Sequence, residues 1–202
     1  MLFLVRHGEA SHHVQDLTGG WTDSELTSKG KKDIAEVAKR LKKELKGKTP
    51  RIIASDLQRT RQTAQIIAEE FSVEAVYQPF LREKNNGLAA NKSNKEAAKM
   101  KLVATEKPLD TKNYPEGESK REFFQRVAAG MNSLVLSEEH VIIVAHKGTI
   151  QNILFWWFNL SIDDVYRLAI SFDIDAASIS ILHVNKWQEH AIKLLNDCSH
   201  LS

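Results

Sequence analysis

Short, continuously apolar runs alternate along the chain with longer segments in which apolar residues recur every three or four positions. Three runs, at 2–5, 51–55 and 141–146, are almost uninterrupted, which is typical of strands that are covered on both faces of a sheet. A further run at 73–78 predicts another strand. The first strand therefore begins almost at the first residue.

The segments between these runs have the period of amphipathic helices. The segment 26–45 carries an apolar stripe and is followed by Gly47, a residue type that commonly ends helices. Helices are also predicted at 56–71, at 117–135 and after His146. The residues expected to face inward from the helix at 117–135 are Phe124, Val127, Ala128, Met131 and Leu134.

Regular alternation of strands and helices predicts a single α/β domain over residues 1–202, a three-layer sandwich around a mostly parallel sheet. The last two apolar runs, at 177–184 and 191–196, are joined by a short polar turn and predict a C-terminal hairpin. A polar stretch at about 79–115 predicts an insertion over one edge of the sheet, with a short helix near 93–104.

Composition narrows the class of protein. Hydrophobic residues make up 42% and charged residues 27%, as in globular proteins, and a net charge of +2 gives no reason to expect nucleic-acid or membrane binding. The only cysteine is Cys198, and the initial apolar run is too short for a signal peptide, so we expect a cytoplasmic protein. The aromatic run 155–158 predicts a buried helix face and a candidate oligomer contact, in a monomer or homodimer.

Charged side chains and histidines follow the strands where ligands bind in such sheets, at the carboxyl ends. Arg6 and His7 end the first strand, and Arg59 lies one turn beyond the second. Glu83 follows the third strand, and His146 ends the most hydrophobic one. Because the planar guanidinium suits phosphate, we expect these side chains to converge on a phosphate group.

Other sequence motifs for phosphate binding or phosphoryl transfer are missing from the sequence. It has neither G-x-x-x-x-G-K-[ST] nor G-x-G-x-x-G, and Cys198 has no arginine after it, so the expected nucleophile is a histidine. The helices that begin after Asp56 and His146 would add positive dipole ends. His12 and His13 are adjacent and should point to different sides, with no carboxylate at ligand spacing, so we predict no metal site.

The motifs resemble one family along the whole chain. LVRHGEA, TGGWTDSELTSKG, ASDLQRTRQTA, LREKNNG, PEGES, VAHKGTIQNIL and LLNDCSHL occur in the order typical of the histidine phosphatase superfamily, from residue 2 to about 201. The series is similar to the phosphoglycerate-mutase-like branch in particular. The resemblance implies that the first strand is the central one and presents the catalytic histidine at its end.

The resemblance also implies a role for each side chain at the strand ends. His7 would attack the phosphoryl group and become phosphohistidine, while Arg6, Arg59 and His146 surround the phosphate oxygens. Glu83 would protonate the leaving oxygen and then deprotonate the water that hydrolyses the phosphohistidine. No metal is needed for these steps.

Further phosphate or substrate contacts are implied at His13, Gly20 and Lys147. His13 stands where the family usually has asparagine; histidine can still donate a hydrogen bond, so we expect binding with an altered pH dependence. Lys147 stands where the family often has glycine. It would be either a second anion contact or a solvent-exposed lysine.

The resemblance leaves open a phosphatase, a mutase primed by 2,3-bisphosphoglycerate, and a non-catalytic phospho-ligand-binding protein. The full set of five core residues disfavours the binding protein, and TGGWTD favours a mutase. However, Asn86 replaces a tyrosine usual in mutases, and 88–113 offers lysines in place of their paired arginines. We therefore expect a phosphatase without cofactor that acts on small phosphomonoesters. Lysines and asparagines in 84–113 predict a second acidic group on the substrate.

Overall fold

The computed structural model of the chain describes residues 1–135 and 140–201. Short strands alternate with helices, as the apolar pattern predicts. The elements are β1 (Leu2–Arg6), α1 (Ser11–Val14), α2 (Ser28–Leu45), β2 (Arg51–Ala54), α3 (Gln58–Phe71), β3 (Ala75–Tyr77), two 3₁₀ turns (Pro79–Leu81 and Gly87–Ala89), α4 (Asn94–Lys99), α5 (Lys120–Ser133), β4 (Val141–Ala145), α6 (Lys147–Trp157), α7 (Ile162–Arg167), β5 (Ile179–Val184) and β6 (His190–Asp197).

The six strands form one sheet in the order β3-β2-β4-β1-β5-β6. The first four are mutually parallel, whereas β5 is antiparallel to β1 and pairs with β6 in the C-terminal hairpin. The predicted α/β class with a mostly parallel sheet is thus confirmed. Because β1, β2 and β4 are parallel neighbours, the residues that follow them meet at one edge of the sheet.

Strand β1 is buried on both faces. Phe3 and Val5 pack into the cluster that contains the apolar stripes of α2 and α3, and Leu2 and Leu4 pack against α5 and α6 on the other face. Burial of each such side chain stabilises the fold by about 1.5–3 kcal/mol. The two helical layers therefore fix the direction and position of the strand that ends at the site.

The start of α2 brings a second segment close to the end of β1. Thr27 caps the helix by accepting a hydrogen bond from the Gly30 amide at 3.0 Å. A Cβ on Gly30 would lie 2.1 Å from the carbonyl oxygen of Glu9, so only glycine allows the helix to approach the chain this closely. This contact supports the turn that carries the residues after His7.

The inward face of α5 differs from the prediction at Phe124 and Ala128, both of which are only partly buried. Phe123, Val127 and Met131 are buried, with i, i+4, i+8 spacing, whereas Phe124 is only partly buried. Phe124 packs against a separate small cluster that contains Phe155 and covers one side of α6. Phe124, predicted to face inward together with Val127 and Met131, thus lies on a second apolar face of this helix, and Phe123 takes its place in the main core.

The aromatic run at the end of α6 does not form one buried face. Phe155 and Trp157 are buried, Trp156 is half-buried and donates from Nε1 to Asn132 Oδ1 at 2.7 Å, and Phe158 is 36% exposed. Consecutive helical residues point about 100° apart, so four in a row cannot share one face. An oligomer contact through this run stays a prediction.

The insertion at 79–115 packs on the loop after β1. Its helix is shorter than predicted, Asn94–Lys99. The amide of Thr18 donates to the Lys92 carbonyl at 2.9 Å, and the amide of Asn94 donates to the Asp16 carbonyl at 3.0 Å. These backbone bonds place this part of the insertion beside the loop after β1, at the carboxyl edge of the sheet.

None of the helices in residues 1–135 and 140–201 is both long enough and apolar enough to cross a bilayer.

Candidate active site

His7 directly follows β1 and is 3% exposed. Its Nδ1 lies 2.7 Å from the Gly8 carbonyl, which can only accept, so Nδ1 carries the ring proton. Nε2 accepts a hydrogen bond from Arg59 Nε at 3.2 Å. Burial, together with the charges of Arg59 and Arg6, holds the pKa of His7 well below its usual value. The imidazole is therefore neutral, with its lone pair on Nε2.

Arg59 lies in the first turn of α3 and is 1% exposed. Nη1 donates to the Thr22 carbonyl at 2.7 Å and Nη2 donates to the Gly20 carbonyl at 2.8 Å. Burial lowers its pKa to about 10, so the group remains charged at neutral pH. The loop after β1 thus fixes the guanidinium against His7.

Arg6 and His13 present two donors at one place. Arg6 Nη1 donates to the Ile174 carbonyl at 2.8 Å, while Nη2 lies 3.4 Å from His13 Nε2. His13 Nδ1 accepts from the Ala10 amide at 3.1 Å, which leaves the ring proton on Nε2. Burial and the Arg6 charge lower the pKa of His13 to about 4, so the ring is neutral. One anion oxygen could accept from both groups.

His146 follows β4 and is 1% exposed. Its ring centroid is 5.1 Å from that of His7, and its Nε2 lies 3.0 Å from the Ser55 hydroxyl at the end of β2. Burial and the Arg59 charge hold the pKa of His146 well below its usual value. Its buried Nδ1 has no hydrogen-bond partner within residues 1–135 and 140–201.

The Glu83 carboxylate is held by the first turn of α6. Oε2 accepts from the Gly148 amide and Oε1 from the Lys84 amide, both at 2.9 Å. A Cβ on Gly148 would lie 2.5 Å from Oε1, so this close approach requires glycine. The second amide of α6 is thus engaged by Glu83, and the positive dipole end expected for the phosphate at this helix stays a prediction.

The N-terminus of α3 is similarly occupied. The Gln58 amide donates to Asp23 Oδ1 at 3.0 Å. Asp56, just before this helix, forms a two-bond ion pair with Arg82 at 2.7 and 2.6 Å. The first amide of α3 therefore binds a carboxylate of the chain itself, and the expected contribution of this helix dipole to phosphate binding stays a prediction.

Arg126 of α5 holds the backbone that carries Glu83. Its guanidinium donates to the carbonyls of Phe80 and Glu83 at 2.8 and 3.1 Å, and it pairs with both carboxylate oxygens of Glu118 at 2.6 and 2.8 Å. Sequence reasoning missed this residue. The available signal was its place three residues after Phe123, an arginine next to the buried stripe of an amphipathic helix.

Gly20 and Lys147 both line the pocket around His7. Gly20 has a φ of +64°, and a Cβ there would lie 2.5 Å from Asn86 Oδ1. Its carbonyl orients Arg59, a contact that spacing alone did not predict. The Lys147 ammonium is 3.6 Å from Asp173, and its side chain is 48% exposed at the rim.

His12 and His13 lie side by side, with ring centroids 4.0 Å apart. The expectation that they point to different sides was wrong because α1 is only four residues long. His12 Nδ1 lies 2.7 Å from the Ser24 hydroxyl, and burial lowers the pKa of His12 to about 3. Within the described part of the chain, no group of three or more His, Cys, Asp or Glu residues is placed to hold a metal ion.

The structure brings the five predicted catalytic side chains to one cavity. Four of them line it, and the fifth, His146, lies directly behind the lining. The active-site pocket has a volume of about 390 Å³, and its lining residues are Arg6, His7, His12, His13, Asp16, Leu17, Gly19, Gly20, Arg59, Glu83, Asn94 and Lys147. His146 packs behind His7. Lys84 lines an adjoining cavity of about 240 Å³, while Lys92, Lys95 and Lys99 are exposed elsewhere on the insertion. A second acidic group on the substrate stays a prediction.

Comparison with protein families agrees with the motifs. The model of the histidine phosphatase superfamily (branch 1) matches residues 2–197. A protein of Proteus mirabilis named "Probable phosphoglycerate mutase GpmB" is 36% identical over 152 residues, 72% of this chain and 68% of that protein. The chain spans about two thirds of the curated relatives it matches, 68% and 61% in two of them. The resemblance inferred from the motifs is thereby confirmed.

Solved structures support the fold. Bacillus stearothermophilus YhfR superposes with a TM-score of 0.82 at 25% identity, covering 100% of this chain and 98% of that one. The alpha-ribazole phosphatase from Shigella flexneri superposes with a TM-score of 0.81 at 20% identity, covering 98% and 96%. At this identity the second likeness concerns the fold alone.

Proposed function

Because this chain belongs to branch 1 of the histidine phosphatase superfamily and is a phosphatase or a mutase, we propose that it is a phosphatase of small phosphomonoesters. The observation that carries this proposal is the state of His7. A neutral imidazole, with its proton fixed on Nδ1 by Gly8 and its lone pair on Nε2, is the form that a nucleophile requires.

The first chemical step forms the bond between His7 Nε2 and phosphorus as the bond from phosphorus to the leaving oxygen breaks. Glu83 transfers its proton to that oxygen, and the alcohol leaves. The imidazole ring gains positive charge, which the Gly8 carbonyl stabilises through Nδ1–H. The product of this step is phosphohistidine.

The second step consumes water. Glu83, now a carboxylate, takes a proton from a water molecule as its oxygen attacks phosphorus, and the bond between phosphorus and Nε2 breaks. Inorganic phosphate leaves, His7 is again neutral and Glu83 again carries a proton. Protons and charges therefore return to their starting state after one turnover.

The phosphate oxygens would be held by Arg6, Arg59, His13 and His146. Arg6 Nη2 and His13 Nε2 offer paired donors. The buried Nδ1 of His146, which has no hydrogen-bond partner among the described residues, would gain one from the phosphate. Fixed charges in a site of this kind stabilise the charge of the transferring group without reorganisation. No residue role here depends on a metal, so we expect EDTA to leave activity unchanged and vanadate to inhibit.

The pocket favours water over a second substrate as the acceptor. A mutase must protect phosphohistidine from water while its monophosphate product turns round. Asn86, in the position of the mutase tyrosine, accepts from the Trp21 amide at 2.9 Å and donates to the Gly19 carbonyl at 3.0 Å, so its amide is already engaged. Among the described residues that line the pocket, Lys147 is the only lysine or arginine besides Arg6 and Arg59.

Phosphoglycerate mutase is the second candidate, because the curated relatives carry that name. Incubation with 2,3-bisphosphoglycerate separates the two. For a phosphatase we expect little acid-labile phosphate on the protein, measured against His7→Ala as the control that cannot form phosphohistidine. We also expect 3-phosphoglycerate to be either unchanged or hydrolysed. Rapid conversion to 2-phosphoglycerate without matching phosphate release would establish the mutase instead.

A further inference from the structure

A second cavity, here called the apolar pocket, lies between α5, α6 and α7. Its volume is about 460 Å³, within the range of small-molecule sites. Most of the residues around it are apolar or aromatic. The lining residues are Leu109, Lys120, Phe123, Gly148, Gln151, Asn152, Phe155, Ile162, Val165, Tyr166, Ala169, Ile170 and Ser171.

The apolar pocket comes close to the active-site pocket at Gly148, which lines only the apolar pocket. The Gly148 amide donates to Glu83 Oε2, and Glu83 lines the active-site pocket. A Cβ on Gly148 would lie 2.5 Å from Glu83 Oε1 and 3.0 Å from Phe123 Cε1. A single glycine thus separates the proposed acid from the aromatic wall of the apolar pocket. The group that departs with the protonated oxygen begins beside Glu83, next to this wall.

One polar side chain in the apolar pocket has an unused donor. Asn152 is 6% exposed, and its Nδ2 has no hydrogen-bond partner within residues 1–135 and 140–201. The neighbouring amide of Gln151 is satisfied, because its Nε2 donates to the Phe172 carbonyl at 2.9 Å. A buried donor without a partner destabilises the fold, so an acceptor on a bound molecule would complete this site.

We propose that the apolar pocket binds the alcohol portion of the substrate. The substrate class is then phosphomonoesters whose alcohol is largely apolar and carries one uncharged hydrogen-bond acceptor for Asn152, in place of the second acidic group predicted from residues 84–113. This inference rests on the proposed phosphatase function, because it assigns the place of the leaving group in that reaction. Phe123, Phe155 and Val165 supply the contact surface.

A series of primary alkyl phosphates tests the pocket. Ethyl, butyl and hexyl phosphate have nearly equal leaving groups, so differences in kcat/KM report binding of the chain rather than chemistry. We expect kcat/KM to rise about fourfold per added methylene group, the value for burial of apolar surface. Equal values across the series would overturn the inference.

Two tryptophan variants test whether the dependence of kcat/KM on alkyl chain length arises in the apolar pocket. Ser171→Trp places a large side chain at an exposed residue that lines the apolar pocket, and it is expected to lower the ratio of kcat/KM for hexyl over ethyl phosphate at least fivefold. Leu168→Trp, on an exposed residue of the same connection that does not line the pocket, should keep the wild-type ratio. The same ratio in both variants would place the alkyl chain elsewhere.

Asn152→Leu tests whether Asn152 donates a hydrogen bond to an acceptor on the substrate. Wild-type protein should prefer 2-(4-acetylphenyl)ethyl phosphate over 2-(4-ethylphenyl)ethyl phosphate about tenfold, and the variant should lose this preference. A preference that survives in the variant would remove Asn152 from the proposal.

Failure of the pocket and failure of the phosphatase function give different results. If no ester is hydrolysed, the proposed function fails, and calorimetric binding of hexylphosphonate against methylphosphonate still tests the pocket without turnover. Tighter binding of the hexyl compound, abolished by Ser171→Trp, would support the pocket. Equal binding of the two phosphonates would overturn it.

Discussion

Arg59 Nε donates to Nε2 of His7 over 3.2 Å, so the guanidinium contacts the lone pair that would attack phosphorus. Two carbonyls of the loop after β1 hold the other arms of this guanidinium. Its charge opposes protonation of His7, and its rigid position keeps the ring oriented before substrate binds. The neutral, oriented state of His7 that the proposed mechanism requires is therefore already present in the folded chain.

Replacement of this nucleophile should abolish turnover. His7→Ala is expected to lower kcat by about four orders of magnitude or more, because no neighbouring group can take over the covalent step. Circular dichroism and thermal melting should resemble those of the wild type. His183→Ala, in β5 toward the opposite end of the sheet, is the matched control and should retain activity. Substantial residual turnover in His7→Ala would refute a phosphohistidine mechanism.

For Glu83→Gln we expect a loss that depends on the leaving group. An alkyl phosphate requires a proton on the departing oxygen, whereas an aryl phosphate requires little. The fall in kcat should be about 100-fold or more for the alkyl ester and markedly smaller for the aryl ester. Glu106→Gln, on an exposed residue of the same insertion, serves as the control. Equal losses on both esters would argue against Glu83 as the acid in the first step.

Gly148→Ala should act through the same carboxylate. The added methyl group would lie 2.5 Å from Glu83 Oε1, so the carboxylate or the helix must move. We expect about a tenfold loss of kcat on alkyl phosphates, since small displacements of a catalytic group are costly. Combined with Glu83→Gln, the alanine should add little. Additive losses in the double variant would show that Gly148 acts independently of Glu83.

Acid should destabilise the fold through its buried histidines. The pKa of His12 is about 3 in the folded chain against 6.5 for an unperturbed histidine, so between these values the unfolded chain binds a proton that the folded chain does not. The free energy of unfolding therefore falls as pH decreases from about 6.5 toward 3, by up to about 1.4 kcal/mol per pH unit for one histidine. His12→Gln should flatten this dependence in urea titrations at pH 7, 6 and 5. An unchanged slope would mean that His12 is already protonated in the fold.

The shared location of the strand ends could be predicted from the sequence. Continuous apolar runs that are separated by helices predict parallel strands, and the carboxyl ends of parallel strands lie at one edge of the sheet. His7 and His146 could be placed at one edge for this reason. The contacts between distant loops were not predictable in the same way. The bond from Gly148 to Glu83 joins residues 65 positions apart, and it depends on how two helices pack on the sheet. Alternation also failed for His12 beside His13, since a single helical turn imposes no strand-like geometry.

Arg126 anchors Glu83 by its main chain, through contacts that lie outside residues 88–113. This anchor of Glu83 therefore does not depend on residues 88–113. A loop graft in 88–113 would leave the anchor in place, although it would change the bonds that the segment makes to the loop after β1. The position of Glu83 and the sequence of 88–113 can therefore be altered separately by mutation.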